Sequence, residues 1–238
     1  MRITLLNPNT SRAMTAKIAA AAREAAGPGV EIVAMCPDAG PAAVESHVDE
    51  VAAASSVLEL IARDQRGGGS DGYVIACCGD PGLDAARELS PVPVVGIAEA
   101  AMHAATLVGR GFGIVTTLSR TLGRADDLVH RYGMHRACVF AQAADVGVLE
   151  LEDADPVAVE RIARVCERGV RDAHADVIVL GCAGMTNLCT LLAARAGVPV
   201  IDGVAAGVGM LAALVRMGIS TSRRDEYAAP PARADVVV

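Results

Sequence analysis

Two apolar runs that each stop at a cysteine constrain this chain more than anything else in it. Residues 71–81 read DGYVIACCGDP, and residues 176–185 read DVIVLGCAGM. A run such as Tyr73-Val74-Ile75-Ala76, with no polar interruption, suits a strand buried on both faces, and the Gly79-Asp80-Pro81 that follows forces the chain out of its sheet. Cys77 is therefore predicted at the carboxyl end of a strand, and Cys182 at a matching end. Asp71 and Cys77 pair with Asp176 and Cys182 at one offset, 105 residues, and Pro93-Val94-Val95 pairs with Pro199-Val200-Ile201 at one residue more. That register is the signature of an internal duplication.

The rest of the chain falls into step with the two runs. In the first half the pattern predicts a strand at 2–6, a turn at Asn7-Pro8-Asn9-Thr10-Ser11 whose Thr10 or Ser11 caps a helix to residue 26, and a strand at 30–35. A helix at 44–63, a Gly-rich loop at 65–70, the strand ending at Cys77, a short helix at 83–89, a strand at 92–96 and a helix at 98–108 complete it. The second half repeats this with a strand at 111–115, the turn Thr116-Thr117-Leu118-Ser119, a helix to 132, a strand at 136–140 and a Pro-initiated helix at 156–174. The strand ending at Cys182, a helix at 186–196 and a strand at 198–202 close it.

Alternating strands and helices imply parallel sheets with right-handed crossovers. The predicted class is α/β: two similar Rossmann-like halves, each with a four-stranded parallel sheet, related by a pseudo-twofold axis, with the active site in the cleft between them. The halves are assigned as residues 1–96 plus about 203–238, and residues 97–202, because helices 98–108 and 203–217 can each cross to cover the other half. The tail from residue 219, with Pro230-Pro231, is expected to pack loosely over the surface or a neighbouring subunit.

Composition closes several doors. With 53% hydrophobic residues, 21% charged and a net charge of -7, the chain is globular and carries no basic footprint for nucleic acid; 2% aromatics and no Trp argue against base stacking. The N-terminus is neither a secretory leader nor a membrane span, so a cytoplasmic protein is predicted, with no membrane partner. Seven cysteines, an odd number, disfavour a disulfide framework, and the five histidines show no zinc-like grouping, so no metal is expected. A pyridoxal Schiff base would have one candidate, Lys17, the chain's only lysine, inside a predicted helix; no cofactor is expected. Cys36, Cys138, Cys166 and Cys189 read as small buried hydrophobes. His47 and His103 read as surface residues, Asp80 as a turn cap before Pro81, and Glu45 as solvent-facing.

In parallel sheets, ligands bind beyond the carboxyl ends of the strands. Two halves facing each other would bring Cys77 and Cys182 to opposite sides of one small ligand. That arrangement suits a racemase, which removes a proton from one face of a carbon and delivers another to the opposite face. Nearby backbone N–H groups are expected to lower the thiol pKa values and to hold a developing enolate oxygen. Gly79 and Gly184, each two residues past its cysteine, leave the backbone free to turn inward. Asn9, Thr10, Thr116 and Thr117, at the other strand-to-helix turns, are candidates to bind the ligand, with Cys78 and Ala183 as matching wall residues.

Asn7-Pro8-Asn9-Thr10-Ser11, Gly40-Pro41 with Glu45, Cys77-Cys78-Gly79-Asp80-Pro81-Gly82-Leu83 and Gly181-Cys182-Ala183-Gly184-Met185 together resemble the hydantoin racemase and allantoin racemase branch of the aspartate/glutamate racemase superfamily. The resemblance runs nearly end to end. It implies a cofactor-independent racemase of 5-substituted hydantoins, usually a homo-oligomer, with catalytic cysteines at Cys77 and Cys182. The sequence departs from that pattern at Cys78, where the family often has an aromatic residue; the duplication assigns the catalytic position to Cys77, since Cys78 aligns with Ala183. Amino-acid racemases of the superfamily tend to carry Asp-Ser-Gly after the first strand and Gly-Cys-Thr-His at the second cysteine, and this chain has neither. An amino-acid racemase, a superfamily decarboxylase or isomerase, and a non-catalytic binding module are the alternatives.

Overall fold

The structure, a computed structural model, describes residues 1–151 and 155–230. The first half runs β1 (Arg2–Leu6), α1 (Arg12–Ala26), β2 (Glu31–Met35), α2 (His47–Arg66), β3 (Gly72–Ile75), α3 (Leu83–Leu89), β4 (Val94–Gly96) and α4 (Ile97–Val108). The second runs β5 (Phe112–Thr116), α5 (Leu122–Arg131), β6 (Cys138–Ala143), α6 (Pro156–Ala173), β7 (Val177–Leu180), α7 (Cys189–Ala196), β8 (Val200–Ile201) and α8 (Gly203–Arg216). The sheets have the orders β2-β1-β3-β4 and β6-β5-β7-β8, and every pairing is parallel. The equivalent strands of the two halves take the same places, as a duplication requires.

The unbroken apolar runs lie where they were expected. Every residue of β3 and of β7 is buried, and both strands are central in their sheets. Removing a Val, Leu or Ile side chain from water stabilises by about 1.5–3 kcal/mol, so these strands anchor each half. The last helix of each half packs across the molecule. Val204, Val208 and Leu211 of α8 join the core of Ile3, Leu5 and Val74, while Ala101, Met102 and Ala105 of α4 join Phe112, Ile114 and Val177.

Some boundaries differ from the sequence reading. Ser46 caps α2, its Oγ accepting from the Asp49 N–H at 3.2 Å, so the helix begins after residue 46 and Glu45 lies on the preceding loop. The strand expected at 136–140 forms at Cys138–Ala143, because the Ala137 and Cys138 N–H groups are spent on the Met134 carbonyl in a tight turn. The turns after β5 and β7 enter their helices through 3-10 segments, Ser119–Thr121 and Ala183–Leu188. From residue 219 to 230 the tail lies over α3: the Ser220 hydroxyl donates to the Pro91 carbonyl, Arg223 to the Glu88 carbonyl at 2.8 Å, and the Tyr227 hydroxyl to Asp84. The remainder of the tail falls outside the described residues. Among the described residues no helix is long and apolar enough to cross a membrane.

Candidate active site

The two cysteine turns open on one cavity of about 80 Å³, room for several waters at about 10–15 Å³ each and so for a small ring ligand. After β3 the chain reverses at once, with the Asp80 N–H donating to the Cys77 carbonyl at 2.9 Å and Asp80 at φ 44°. The Asp80 side chain does not cap that turn as expected but reaches away from it. It is buried and accepts from the backbone N–H of Ala98 (3.0 Å) and Glu99 (2.9 Å) and from the Tyr132 hydroxyl (2.7 Å), tying the turn to the first turn of α4. Its burial pushes the carboxyl up to about 6, against the pull of those three donors. In the second half the link is reversed: Asp202 caps α8 through the Val204 N–H (2.9 Å) and also accepts from the Thr186 hydroxyl of the Cys182 turn.

Cys77 and Cys182 are half-buried and line the cavity together, and a thiolate at Cys182 would oppose ionisation of Cys77. Of the other expected site residues, Asn9, Cys78, Gly79, Thr116, Thr117, Ala183 and Gly184 line the same cavity. Thr10 does not; its N–H and hydroxyl are turned to the Pro41 carbonyl. The Asn9 side-chain oxygen accepts from Asn7 Nδ2 (2.9 Å) and from the Ser11 N–H (3.0 Å), and Asn7 also donates to Thr15, so the first turn is held by its own asparagines. Cys78 Sγ donates to the Leu180 carbonyl across the cleft at 3.5 Å, and burial, with Cys182 and Cys77 beside it, pushes its pKa up and holds it a thiol.

The sequence reading misses much of the rest of the lining, including four chemically distinctive side chains. Asn7, Met14, Glu50 and Arg124 come from a turn and three helices, and the last two are the cavity's only ionisable groups apart from cysteines among the described lining residues. Arg124 Nε lies 3.3 Å from Glu50 Oε1, so their charges offset each other and the cavity is close to neutral. Glu45, expected to face solvent, is half-buried and accepts from the Val148 N–H of the second half at 2.9 Å. A second, polar cavity adjoins the first through Val44, Glu50, Thr121 and Arg124, and adds Glu45, Ser46, His47 and Arg120.

The family model for Asp/Glu/Hydantoin racemase matches residues 3–211, most of the chain and both cysteine turns. The chain belongs to that racemase family. It is 41% identical over 230 residues, 97% of this chain and 92% of the relative, to a hydantoin racemase of Pseudomonas sp. strain NS671. Among solved structures it resembles an allantoin racemase from Klebsiella pneumoniae (TM-score 0.96, 50% identity, covering 100% of this chain and 96% of that one) and one from Pseudomonas fluorescens (TM-score 0.94, 40% identity, covering 100% of both).

In this racemase the thiols depart from the sequence expectation in one respect. Burial pushes Cys77 up to about 12 and Cys182 up to about 11, outweighing the Gly79 and Gly184 N–H groups that favour the thiolates. The backbone donors are present as expected, Gly184 N lying 3.4 Å from Cys182 Sγ, but the packing of both halves around the sulfurs outweighs them. Of the four cysteines expected to be buried only Cys166 is; Cys189 packs against the second-half core and Cys138 against the neighbouring cluster, and both are half-buried, as is Cys36. None of these four lines the cavity. Lys17 is engaged on carbonyl groups of Leu151 and Gly184. Among the described residues no three His, Cys, Asp or Glu side chains are grouped to hold a metal.

Proposed function

We propose that this chain is a cofactor-independent racemase of 5-substituted hydantoins, with Cys77 and Cys182 exchanging the roles of base and acid at C5. The observation that carries the reading is the meeting of two thiols, from matched strand ends of duplicated halves, in one small and nearly neutral cavity. The names of the relatives, hydantoin racemase and allantoin racemase, point to the same substrate class. One thiolate takes the C5 proton, the electron pair moves into the adjacent carbonyl to form an enolate, and the opposite thiol returns a proton to the other face. Backbone N–H groups of the two turns, with Thr116, Thr117 and Asn9, are the donors for the enolate and the ring. A free amino acid would bring an ammonium and carboxylates into a site whose one cation is already paired, which disfavours the amino-acid alternative.

The raised thiol pKa values fit this chemistry. A thiolate that forms in a dry site is a stronger base than one at about 8.5, and better matched to a weakly acidic C–H. The free enzyme holds both protons at neutral pH, and the reacting form needs one thiolate beside one thiol. Because a group with a raised pKa loses its proton only as pH climbs, kcat/KM is expected to rise by up to about tenfold per unit from about pH 7 to 9. A flat profile over that range would contradict the assignment.

Neither cavity is lined by an aromatic side chain among the described residues, and the adjoining one is polar. We place the 5-substituent toward it. Allantoin, with its ureido group, and small alkylhydantoins are therefore expected to turn over with kcat/KM at least about tenfold above that of 5-benzylhydantoin, the lower end of what a mismatched pocket costs. The activity itself is tested by following optical rotation of enantiopure allantoin and of an alkylhydantoin. No change with any hydantoin would leave a binding module as the better reading.

A further inference from the structure

Each half of the molecule sends one cation across the cleft to the turn that carries the other half's cysteine. Arg124, on α5 of the second half, donates through Nε (3.2 Å) and Nη2 (2.7 Å) to the carbonyl of Gly79, two residues past Cys77. Lys17, on α1 of the first half, donates through Nζ to the carbonyl of Gly184 at 3.3 Å, two residues past Cys182, and to the Leu151 carbonyl at 2.5 Å. The two helices are equivalents, each following the first strand of its half, and the two glycines are equivalents. Both glycines present their N–H to the sulfur of their own cysteine while the carbonyl is held from across the cleft.

We propose that Lys17 and Arg124 are a matched pair of positioning residues, each orienting the glycine peptide that faces the thiol of the opposite half. The inference deepens the reading of Cys77 and Cys182 as acid and base, and it gives the chain's only lysine a role. Arg124 is itself braced by Glu50, and a Cβ at Gly79 would lie 3.1 Å from Glu50 Oε1, so that any side chain there would push on this brace. The groups facing Cys77 are thus Cys78 and Asp80 of its own turn, Glu50 of α2, Arg124 of α5 and Cys182, whereas Cys182 faces Lys17, Glu45, Cys77 and Cys78. Lys17 already favours the Cys182 thiolate against burial, and Glu50 works against that of Cys77, so loss of Arg124 leaves an uncompensated negative charge beside Cys77.

The test is a crossed labelling experiment that needs no turnover. Alkylation of Cys77 and Cys182 by iodoacetamide is followed against pH, with tandem mass spectrometry separating Cys77 from Cys78, in Arg124→Met, Lys17→Met and the conservative Arg124→Lys and Lys17→Arg variants of the full chain. Arg124→Met is expected to slow Cys77 labelling about tenfold at a given pH, a shift of about one pH unit, and to leave Cys182 within about twofold. Lys17→Met is expected to do the reverse, and both conservative variants to recover most of the rate. Equal changes at both cysteines, or none at either, would overturn the pairing. Because labelling reads the thiols directly, failure of the pairing is separable from failure to racemise hydantoins, which is measured on the unaltered protein.

Discussion

Cys77→Ser and Cys182→Ser are each expected to lose racemisation by at least about a thousandfold, while each retains exchange of the C5 proton of one enantiomer. The magnitude follows from removing a positioned acid or base, which contributes about 10²–10⁴ in rate, and serine is too weak an acid to replace it. The residual exchange follows from the geometry. The two cysteines come from equivalent turns and line one cavity, so in the proposed mechanism each would approach one face of a shared ligand. The surviving thiol abstracts and returns a proton on its own face only, and the two variants must therefore exchange opposite enantiomers. Proton NMR in deuterated water resolves this. Exchange of the same enantiomer by both variants, or full racemisation by either, would be incompatible with two thiols acting from opposite sides.

Gly96→Ala is expected to destabilise the protein by about 3–5 kcal/mol and to abolish activity although residue 96 lines no part of the cavity. A Cβ at Gly96 would lie 2.3 Å from Asp80 Cγ and 2.4–2.5 Å from its oxygens, so the Asp80 carboxyl must leave its pocket. Leaving forfeits the bonds from Ala98, Glu99 and Tyr132 and strips α4 of its cap, and the Cys77 turn moves with it. The loss is a large share of the roughly 5–15 kcal/mol that holds such a protein together. A thermal midpoint lowered by roughly 10 °C or more is the expected readout, at about 2–4 °C per kcal/mol for a chain of this size. Gly209→Ala on α8, where a Cβ meets nothing within 4 Å, is the control and is expected to gain slightly from helix propensity. Equal melting of Gly96→Ala and the unaltered protein would remove Asp80 from its assigned role.

The sequence exposes the frame of this molecule because its central strands are nearly pure in character. Tyr73-Val74-Ile75 and Val177-Ile178-Val179 can only be buried on both faces, and their common ending in a cysteine makes the duplication, and hence the shared cleft, readable. The edge strand β6 is less legible, since its alternating burial carries a weaker signal and a tight turn at Met134 delays it. The roles of Arg124, Glu50 and Lys17 are not legible for a different reason. They sit in the first two turns of their helices with no local pattern to mark them, and their task is set by partners some 45 to 167 residues away across the cleft. The direction of the thiol pKa shifts was also hidden, because the donors that favour the thiolates are local in sequence and the burial that opposes them is made by both halves.

The most direct measurement is the early-time isotopic composition of both enantiomers when enantiopure allantoin is incubated with the protein in deuterated water. Two thiols on opposite faces predict that newly formed product carries deuterium at C5 while recovered substrate remains protiated. Product that retains the substrate's own proton, the mark of one group serving both faces, would contradict the assignment of Cys77 and Cys182 as separate acid and base.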